Sequence, residues 1–294
     1  MIERLSNYEQ SSPMITKIRQ RWFEIDAMSG VGLDPVVEKI PQEVWNQVGK
    51  GNIADGITFF NQKIIDATAS QTVDYKINAN FYSGEQGRRA LKNTFDYLKK
   101  THPEILRVCD GKFADVGHTA DHLAAEIFEE LDADAVLLNP YLGSDAIKPF
   151  TKYKDKLVIL CVNTSNPSAD ETQNIPLADG TPYWKFILRK SLEEWGNNNI
   201  IPVLSATHPE NLIGIRSLVG QLPILLAGVG SQGGDLNQSV PQCLDKNGYG
   251  LMISASRAIL YPERQPGESF PDASRRAITD LKNNINQAKT LSHG

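Results

Sequence analysis

Three charged side chains fall within six residues of one another in the run Cys109–Ala120, CDGKFADVGHTA. Asp110 and Lys112 are two residues apart, so on a strand they point to the same side, and Asp115 follows closely. Carboxylates beside an ammonium compensate its charge in a low-dielectric site and tie its protonation state to theirs, as acid–base chemistry requires. For an isolated D-x-K-x-x-D pattern an exposed turn with weak ion pairs is the commoner interpretation, so the rest of the chain has to decide.

The flanking residues predict how this run is positioned. Four apolar residues, Ile105, Leu106, Val108 and Cys109, predict a short buried strand over Ile105–Cys109. Apolar residues recur at helical spacing from Ala120 to Leu131. The charged group is therefore expected at a strand-to-helix turn.

Eight short apolar runs of this kind alternate with helical stretches along the chain. Nearly continuous apolar runs are typical of parallel strands that are covered on both faces. Eight units in about 250 residues predict a (β/α)8 TIM barrel, an α/β fold, with a doubly wound open sheet as the alternative. We predict a single domain over residues 1–294, with a barrel core at about 31–262. The predicted strands are Val31–Asp34, Thr72–Asn78, Ile105–Cys109, Ala135–Asn139, Leu157–Asn163, Ile200–Ser205, Pro223–Gly228 and Gly250–Ser254.

An extra amphipathic helix is predicted before the first strand, and a closing helix after the last. The segment Asn163–Thr181, rich in Asn, Ser, Asp and Pro, is interpreted as a lid, because long connections of this kind are usually functional or disordered. The main predicted helices are Met14–Met28, Gly56–Ala69, Glu85–Lys100, Tyr183–Trp195, His208–Val219, Asp235–Asp245 and the helix from Ser269 onward.

Composition narrows the function classes. The net charge of −5 and pI near 5.6 argue against a nucleic-acid or anionic-membrane partner, since both need a concentrated basic surface. The three widely spaced cysteines suggest neither a disulfide framework nor a zinc site. The first residues lack the apolar region of a signal peptide, and no apolar run is long enough to span a membrane. We therefore expect a soluble, cytoplasmic protein.

Polar residues follow many of the predicted strands. In a barrel the carboxyl ends of all strands meet on one face, where active sites are built. The glycine-rich run GVGSQGG after the seventh strand and an arginine after the eighth lie where barrels commonly hold phosphate. The residues that converge on this face are Asp34, Lys76, Asp110, Lys112, Asn139, Ser165, Gln232 and Arg257.

The opening run resembles the signature of the orotidine 5'-monophosphate decarboxylases, D-x-K-x-x-D-[IV]-G-x-T. It is matched in order by Asp110, Lys112, Asp115, Val116, Gly117 and Thr119. Further runs, NPYLGSDA, TSNP and SATHPEN, resemble the larger bacterial and mycobacterial branch of this family. Ala227, Ser205 and His118 depart from the usual proline, glycine and asparagine, but none of these departures removes a charged group.

The resemblance also implies how the substrate is held. Asp34 in GLDP and Lys76 in YKIN look like the aspartate and lysine that contact the ribose hydroxyls and join the charge network. Ser165 matches a serine that hydrogen-bonds the pyrimidine. Gln232 and Arg257 match the positions that grip the phosphate.

The implied reaction is decarboxylation of orotidine 5'-monophosphate to uridine 5'-monophosphate in de novo pyrimidine biosynthesis, without cofactor or metal. Lys112 would stabilise the charge left at C6 and protonate that carbon, while Asp110 and Asp115 position it. Family members are homodimers, so Asp115 and Thr119 are expected to reach the site of the other subunit. Two alternatives stay open: a related sugar-phosphate decarboxylase or aldolase, which commonly uses Mg²⁺, and a catalytically silent phosphate-ligand-binding barrel.

Overall fold

Eight short parallel strands form a closed barrel in the computed structural model, which describes residues 12–196, 198–229 and 233–291. Each strand pairs with the next along the chain, and β1 closes the barrel on β8, with Ser29 opposite Ile253. The predicted (β/α)8 barrel is therefore confirmed, and the open sheet is excluded. The strands are β1 Ser29–Gly32, β2 Asp74–Asn78, β3 Leu106–Phe113, β4 Ala135–Leu138, β5 Leu157–Cys161, β6 Ile200–Ser205, β7 Ile224–Ala227 and β8 Leu251–Ala255.

Side chains on β2 alternate between the barrel interior and the surrounding helices. The Tyr75 hydroxyl lies 2.8 Å from that of Thr68 and donates to the Ile65 carbonyl at 3.1 Å, so Tyr75 faces the helix outside the barrel. Asp74 and Lys76 flank Tyr75 and therefore face the interior. This alternation brings charged groups inside the barrel.

Helices cover the outside of the barrel between the strands. The helix before β1 begins at Pro13, where the Ser12 hydroxyl accepts from the Met14 amide, and ends where Asp26 adopts a left-handed conformation. The helices are Pro13–Ile25, Gln42–Val48, Ile53–Thr68, Gly84–Thr101, Gly117–Ala125, Ser144–Thr151, Tyr183–Lys190, Ile215–Val219, Leu236–Cys243, Arg257–Leu260 and Phe270–Thr290. Among the described residues, none of these helices has the length and apolar character needed to cross a membrane.

Several predicted boundaries are wrong, each for a local physical reason. The helix predicted to reach Met28 stops at Ile25, because Asp26 turns the chain. The helix predicted over His208–Val219 is two pieces, a 3-10 turn Pro209–Leu212 and a short helix Ile215–Val219, with Gly214 at φ 73° between them. A left-handed residue between two helical segments interrupts the hydrogen-bond ladder.

The two strands that carry the main charged residues also differ from prediction. β1 ends at Gly32, so Asp34 lies two residues beyond the strand. β3 is longer than predicted and continues through Phe113, so Asp110 and Lys112 belong to the strand itself. The charged group is thus anchored in the sheet, and only Asp115 lies in the turn that follows.

Candidate active site

Two lysines meet one buried aspartate at the carboxyl end of the barrel. Lys76 Nζ lies 3.1 Å from Asp110 Oδ2, and Lys112 Nζ lies 3.1 and 3.2 Å from Asp110 Oδ1 and Oδ2. The Asp110 side chain is 2% exposed and that of Lys76 15%, whereas Lys112 is 53% exposed. The structure therefore fixes a buried pair and leaves the second ammonium open to the mouth of the barrel.

Electrostatics keep this pair ionised despite its burial. Burial alone raises the pKa of Asp110, but the ammonium groups of Lys76 and Lys112 lower it further than burial raises it. For Lys76, burial lowers the pKa, and the carboxylates of Asp34 and Asp110 more than restore it. Asp34 therefore acts on Lys76 through its electrostatic field.

A bulge in β3 presents Lys112 at the mouth. The pairing with β4 passes from Asp110 opposite Leu137 to Phe113 opposite Leu138, so Gly111 and Lys112 are extra residues. Lys112 has φ 48°, a left-handed conformation that costs a residue with a side chain roughly 1–3 kcal/mol. Such strain concentrates at functional positions, where the surrounding structure holds it.

Asp34 is held at the end of β1 by a residue from the end of β8. The Ser256 hydroxyl donates to Asp34 Oδ2 at 2.6 Å, and Asp34 Oδ1 is buried without a hydrogen-bond partner among the described residues. Gly32 makes room for this contact, since a Cβ there would overlap Ser256 Oγ. One carboxylate oxygen of Asp34 is thus available to accept a bond from a ligand hydroxyl.

The loops after β5, β6 and β7 converge on the other side of the mouth. A Cβ built on Gly228, which has φ 86°, would lie 2.7 Å from Ser165 Cβ and 3.0 Å from Thr207 Cγ2. The hydroxyls of Ser205 and Thr207 are 2.6 Å apart, and Ser205 Oγ accepts the Thr207 amide at 3.1 Å. The unusual Ser205 therefore shapes the turn that follows β6, and Ser165 lies where this turn and β7 meet.

Of the two residues predicted to grip phosphate, the structure describes only one. Arg257 is exposed and begins the short helix after β8, directly beside Ser256. Gln232 lies outside the described residues. The adjoining Gly234 amide donates to the Gly228 carbonyl at 3.0 Å, so the described ends of this loop lie close together.

Asp115 and Thr119 do not join the rest of the site within one chain. Asp115 Oδ1 accepts the amide of its neighbour Val116 at 2.8 Å, and within the described residues Asp115 forms no ion pair. Thr119 is exposed on the first turn of the helix Gly117–Ala125. A single chain therefore assembles the Asp34, Lys76, Asp110 and Lys112 part of the predicted network, without Asp115.

Two polar residues inside the barrel were missed by the sequence interpretation. Asp74 is fully buried below Lys76, and Ser254 on β8 donates to its Oδ2 at 2.7 Å. A signal was present, because Asp74 and Lys76 repeat the two-residue spacing of Asp110 and Lys112. A strand with an aspartate at an inward position is a local contradiction, and such contradictions often mark functional positions.

The predicted lid has more structure than expected. It contains a 3-10 turn, Pro167–Glu171, and a short bridge between Pro176 and Pro182. Gln173 ties its base, with its side-chain oxygen accepting the Thr164 amide at 2.8 Å. Among the described residues, no group of three or more His, Cys, Asp or Glu side chains is arranged to hold a metal ion.

Comparison with known proteins agrees with this geometry. The family model described as orotidine 5'-phosphate decarboxylase / HUMPS family matches residues 60–269. An orotidine 5'-phosphate decarboxylase of Cellvibrio japonicus is 38% identical over 276 residues, which cover 94% of this chain and 98% of the relative. The solved structure of Leishmania donovani OMP decarboxylase has a TM-score of 0.78 at 26% identity, covering 94% of this chain and 98% of that one.

A longer solved protein contains the same fold. Leishmania donovani UMP synthase is similar at a TM-score of 0.79 and 28% identity, over 93% of this chain but only 56% of that one. The similarity in sequence thus runs through nearly the whole chain, and the carboxyl end of the barrel carries the Asp34, Lys76, Asp110 and Lys112 group. The chain belongs to the orotidine 5'-phosphate decarboxylase family.

Proposed function

We propose that the protein decarboxylates orotidine 5'-monophosphate to uridine 5'-monophosphate, the last step in making this pyrimidine nucleotide, with Lys112 as the proton donor to C6. Membership of the family and the curated relatives' names support the reaction. The observation that carries the role of Lys112 is its ammonium, half exposed at the mouth and held 3.1 Å from a buried carboxylate.

The atoms and electrons of the proposed step balance without a cofactor. The bond between C6 and the carboxylate carbon breaks, CO₂ leaves, and the electron pair stays on C6. The ammonium of Lys112 stabilises this charge and then gives its proton to C6, so that a neutral amine remains and is reprotonated by solvent. Asp110 holds both lysines in place before substrate arrives, so little reorganisation accompanies the charge change.

Substrate binding is proposed to use the remaining residues around the mouth. The free oxygen of Asp34 and the ammonium of Lys76 face the ribose hydroxyls, and Ser165 bonds the pyrimidine. Arg257, together with Gln232, grips the phosphate, since a guanidinium binds phosphate oxygens bidentately. These roles are supported by the match to the family motif and by the position of the described residues around one opening.

A homodimer with shared sites is proposed on two observations. Asp115, which the motif assigns to the charge network, has no ion-pair partner in its own described chain. Beside it lie exposed apolar side chains on the loops after β3 and β4: Val116 is 48% exposed, Tyr141 77% and Leu142 47%. A second copy that covers this patch would bring its Asp115 towards the neighbouring Lys112. We place the dimer in the cytoplasm, where a soluble biosynthetic enzyme of this kind works.

The reaction is tested by following the pyrimidine absorbance of orotidine 5'-monophosphate and the released CO₂. In D₂O the product should carry one deuterium at C6, because the lysine exchanges its protons with solvent before donating one. A protein that leaves the nucleotide unchanged but cleaves or decarboxylates sugar phosphates would support the barrel sugar-phosphate alternative instead.

The shared site is tested by mixing two inactive variants, Lys112→Ala and Asp115→Ala. In a hybrid dimer one site has both defects and the other has neither, so random mixing should restore about a quarter of the wild-type activity. Sedimentation of each variant confirms that dimers form. If the dimeric mixture stays inactive, Asp115 acts within its own subunit.

A further inference from the structure

Asp74 and Ser254 form a buried polar pair inside the barrel, one inward-facing position below Lys76 and its ion pair with Asp110. The pairing of Val31 with Tyr75 and of Gly30 with Ser254 places Gly30, Asp74 and Ser254 side by side on β1, β2 and β8. Asp74 faces inward, two residues before Lys76 on the same side of β2, and is 0% exposed. The carboxylate therefore lies behind the lysine, on the side away from the mouth.

The neighbouring strand leaves space for this carboxylate. A Cβ on Gly30 would overlap Asp74 Oδ1 and would lie 2.7 Å from Ser254 Oγ. Ser254 satisfies Oδ2, while Oδ1 has no hydrogen-bond partner among the described residues. Leaving a buried carboxylate oxygen unpaired is costly, so a purely structural role would be better served by an apolar side chain.

We propose that Asp74 is a positioning residue for the decarboxylation: its negative charge holds the ammonium of Lys76 from within the barrel, and Lys76 in turn fixes Asp110 beneath Lys112. The proposal rests on the proposed function, since Lys76 and Lys112 must be part of the reacting site. It assigns no substrate contact to Asp74.

The charges around Asp74 make the effect dependent on pH. Burial raises the pKa of Asp74 to about 6, against the opposing hydrogen bond from Ser254 and the field of Lys76. Lys76 is the charged group on its own strand that acts on it, Ser254 faces it from β8, and Gly30 faces it from β1. The carboxylate thus gains its charge as the pH rises through about 6, and only then holds Lys76.

The test compares kcat/KM of wild type and Asp74→Asn from about pH 5 to pH 8. A substrate phosphate also titrates near pH 6, but it is common to both enzymes and divides out of their ratio. The ratio of wild type to variant should rise from near one at low pH to roughly threefold to tenfold at high pH, about 0.7–1.4 kcal/mol on the barrier. A ratio that is constant across this range, or equal to one throughout, overturns the proposal.

Ser254→Ala provides the matched control, because it keeps the carboxylate and removes its hydrogen bond. The Ser254 bond lowers the pKa of Asp74, so without it the rise in activity should move to higher pH and reach the same plateau. If Asp74→Asn fails to fold, this shift alone decides the proposal, and an unshifted profile contradicts it. A wild-type protein with no decarboxylation at any pH would instead disprove the proposed function.

Thermal unfolding separates positioning from stabilisation. The pKa of Asp74 is raised from 3.8 to about 6, so the native state binds more protons than the unfolded state between these values, and stability falls as pH rises through them. Asp74→Asn removes this penalty and should raise Tm at pH 8 while lowering activity there. A variant that loses both Tm and activity at pH 8 contradicts the assignment.

Discussion

The two ends of the barrel both carry buried ion networks. The difference between these networks distinguishes the end that stabilises the fold from the end that carries the active site. At the amino ends of the strands, Asp134 accepts Lys17 Nζ and Arg107 Nη2, both at 2.8 Å, and also the Arg107 amide at 3.0 Å. Nearby, Asp132 lies 2.8 Å from Lys99 and 3.1 Å from Lys156. Both carboxylates are thus paired by cations from several elements.

The network at the amino end joins the helix Pro13–Ile25 to the barrel floor through Lys17. Arg107 and Asp134 have side chains that are 7% and 5% exposed, so this pair is closed to any ligand. At the carboxyl end, by contrast, Lys112 is half exposed, and one oxygen of Asp34 has no hydrogen-bond partner in the described part of the chain. A closed network fixes structure, whereas an open one is preorganised and still able to meet a substrate.

The largest effect is expected from breaking the open network, which consists of Asp34, Lys76, Asp110 and Lys112. Lys112→Ala removes the proposed C6 proton donor and the ammonium that stabilises the developing charge. General acid loss costs about 10²–10⁴-fold and lost electrostatic stabilisation about 10²–10³-fold more, so kcat should fall by at least about 10⁴-fold. Because Lys112 is half exposed and the buried Asp110 keeps its ion pair with Lys76, Tm should change little. Turnover near that of wild type would remove Lys112 from the mechanism.

The second prediction breaks the closed network and should give the opposite pattern. Asp134→Asn removes the closer of the two carboxylates beside the buried guanidinium of Arg107, which keeps Asp132 at 3.7 Å, and it weakens the hold on Lys17. Breaking a buried pair on one side typically costs about 3–5 kcal/mol of the free energy of unfolding, and the remaining Asp132 places the expected loss at the lower end of this range. Denaturant unfolding should report this loss while kcat per folded enzyme stays unchanged. A large fall in kcat would mean that the two ends of the barrel are coupled.

The sequence predicted the open network better than the closed one. Asp34, Lys76, Asp110 and Lys112 belong to short motifs at strand ends, where parallel topology forces residues together. Asp134 and Arg107 meet through strand register, which no local pattern reveals. The barrel itself followed from eight alternating units, because periodicity and unit length suffice for that inference.

What the sequence could not supply was local backbone geometry. The β3 bulge at Gly111 and Lys112 has no composition signal, since a lysine in a left-handed conformation is not favoured by any propensity. The buried position of Asp74 was missed because its apolar neighbours were used to assign the strand, and the direction of the Asp74 side chain was not considered. Asp115 stays a prediction from the motif, because its expected place in the site of another subunit depends on assembly and not on the fold of one chain.

The third prediction tests whether binding of the substrate phosphate, away from the reacting carbon, contributes to catalysis at the open network. Arg257→Ala should lose a charge-assisted bond to phosphate worth roughly 1.5–3 kcal/mol, lowering kcat/KM for orotidine 5'-monophosphate by at least about tenfold. With orotidine, which has no phosphate, the same variant should lose little. Measuring both substrates on both enzymes gives a cycle in which the phosphate is one partner. Equal losses on the two substrates would show that Arg257 supports the site without gripping phosphate.

The last prediction is that removing divalent metal ions leaves the activity unchanged. Asp110 already has an ammonium on each oxygen, with Lys76 at 3.1 Å and Lys112 at 3.1 and 3.2 Å. A divalent cation at this carboxylate would be repelled by two positive charges, each worth about 8 kcal/mol at 4 Å and an effective dielectric constant of 20, twice the value for unit charges. EDTA should therefore leave kcat/KM for orotidine 5'-monophosphate unchanged, and added Mg²⁺ should not raise it.

A sugar-phosphate enzyme built on this barrel would behave differently, because Mg²⁺ bridges carboxylates and substrate oxygens. Activity that EDTA abolishes and Mg²⁺ restores would mean that the two lysines give way to a metal when substrate binds, and the open network would then have to be reinterpreted as a metal site.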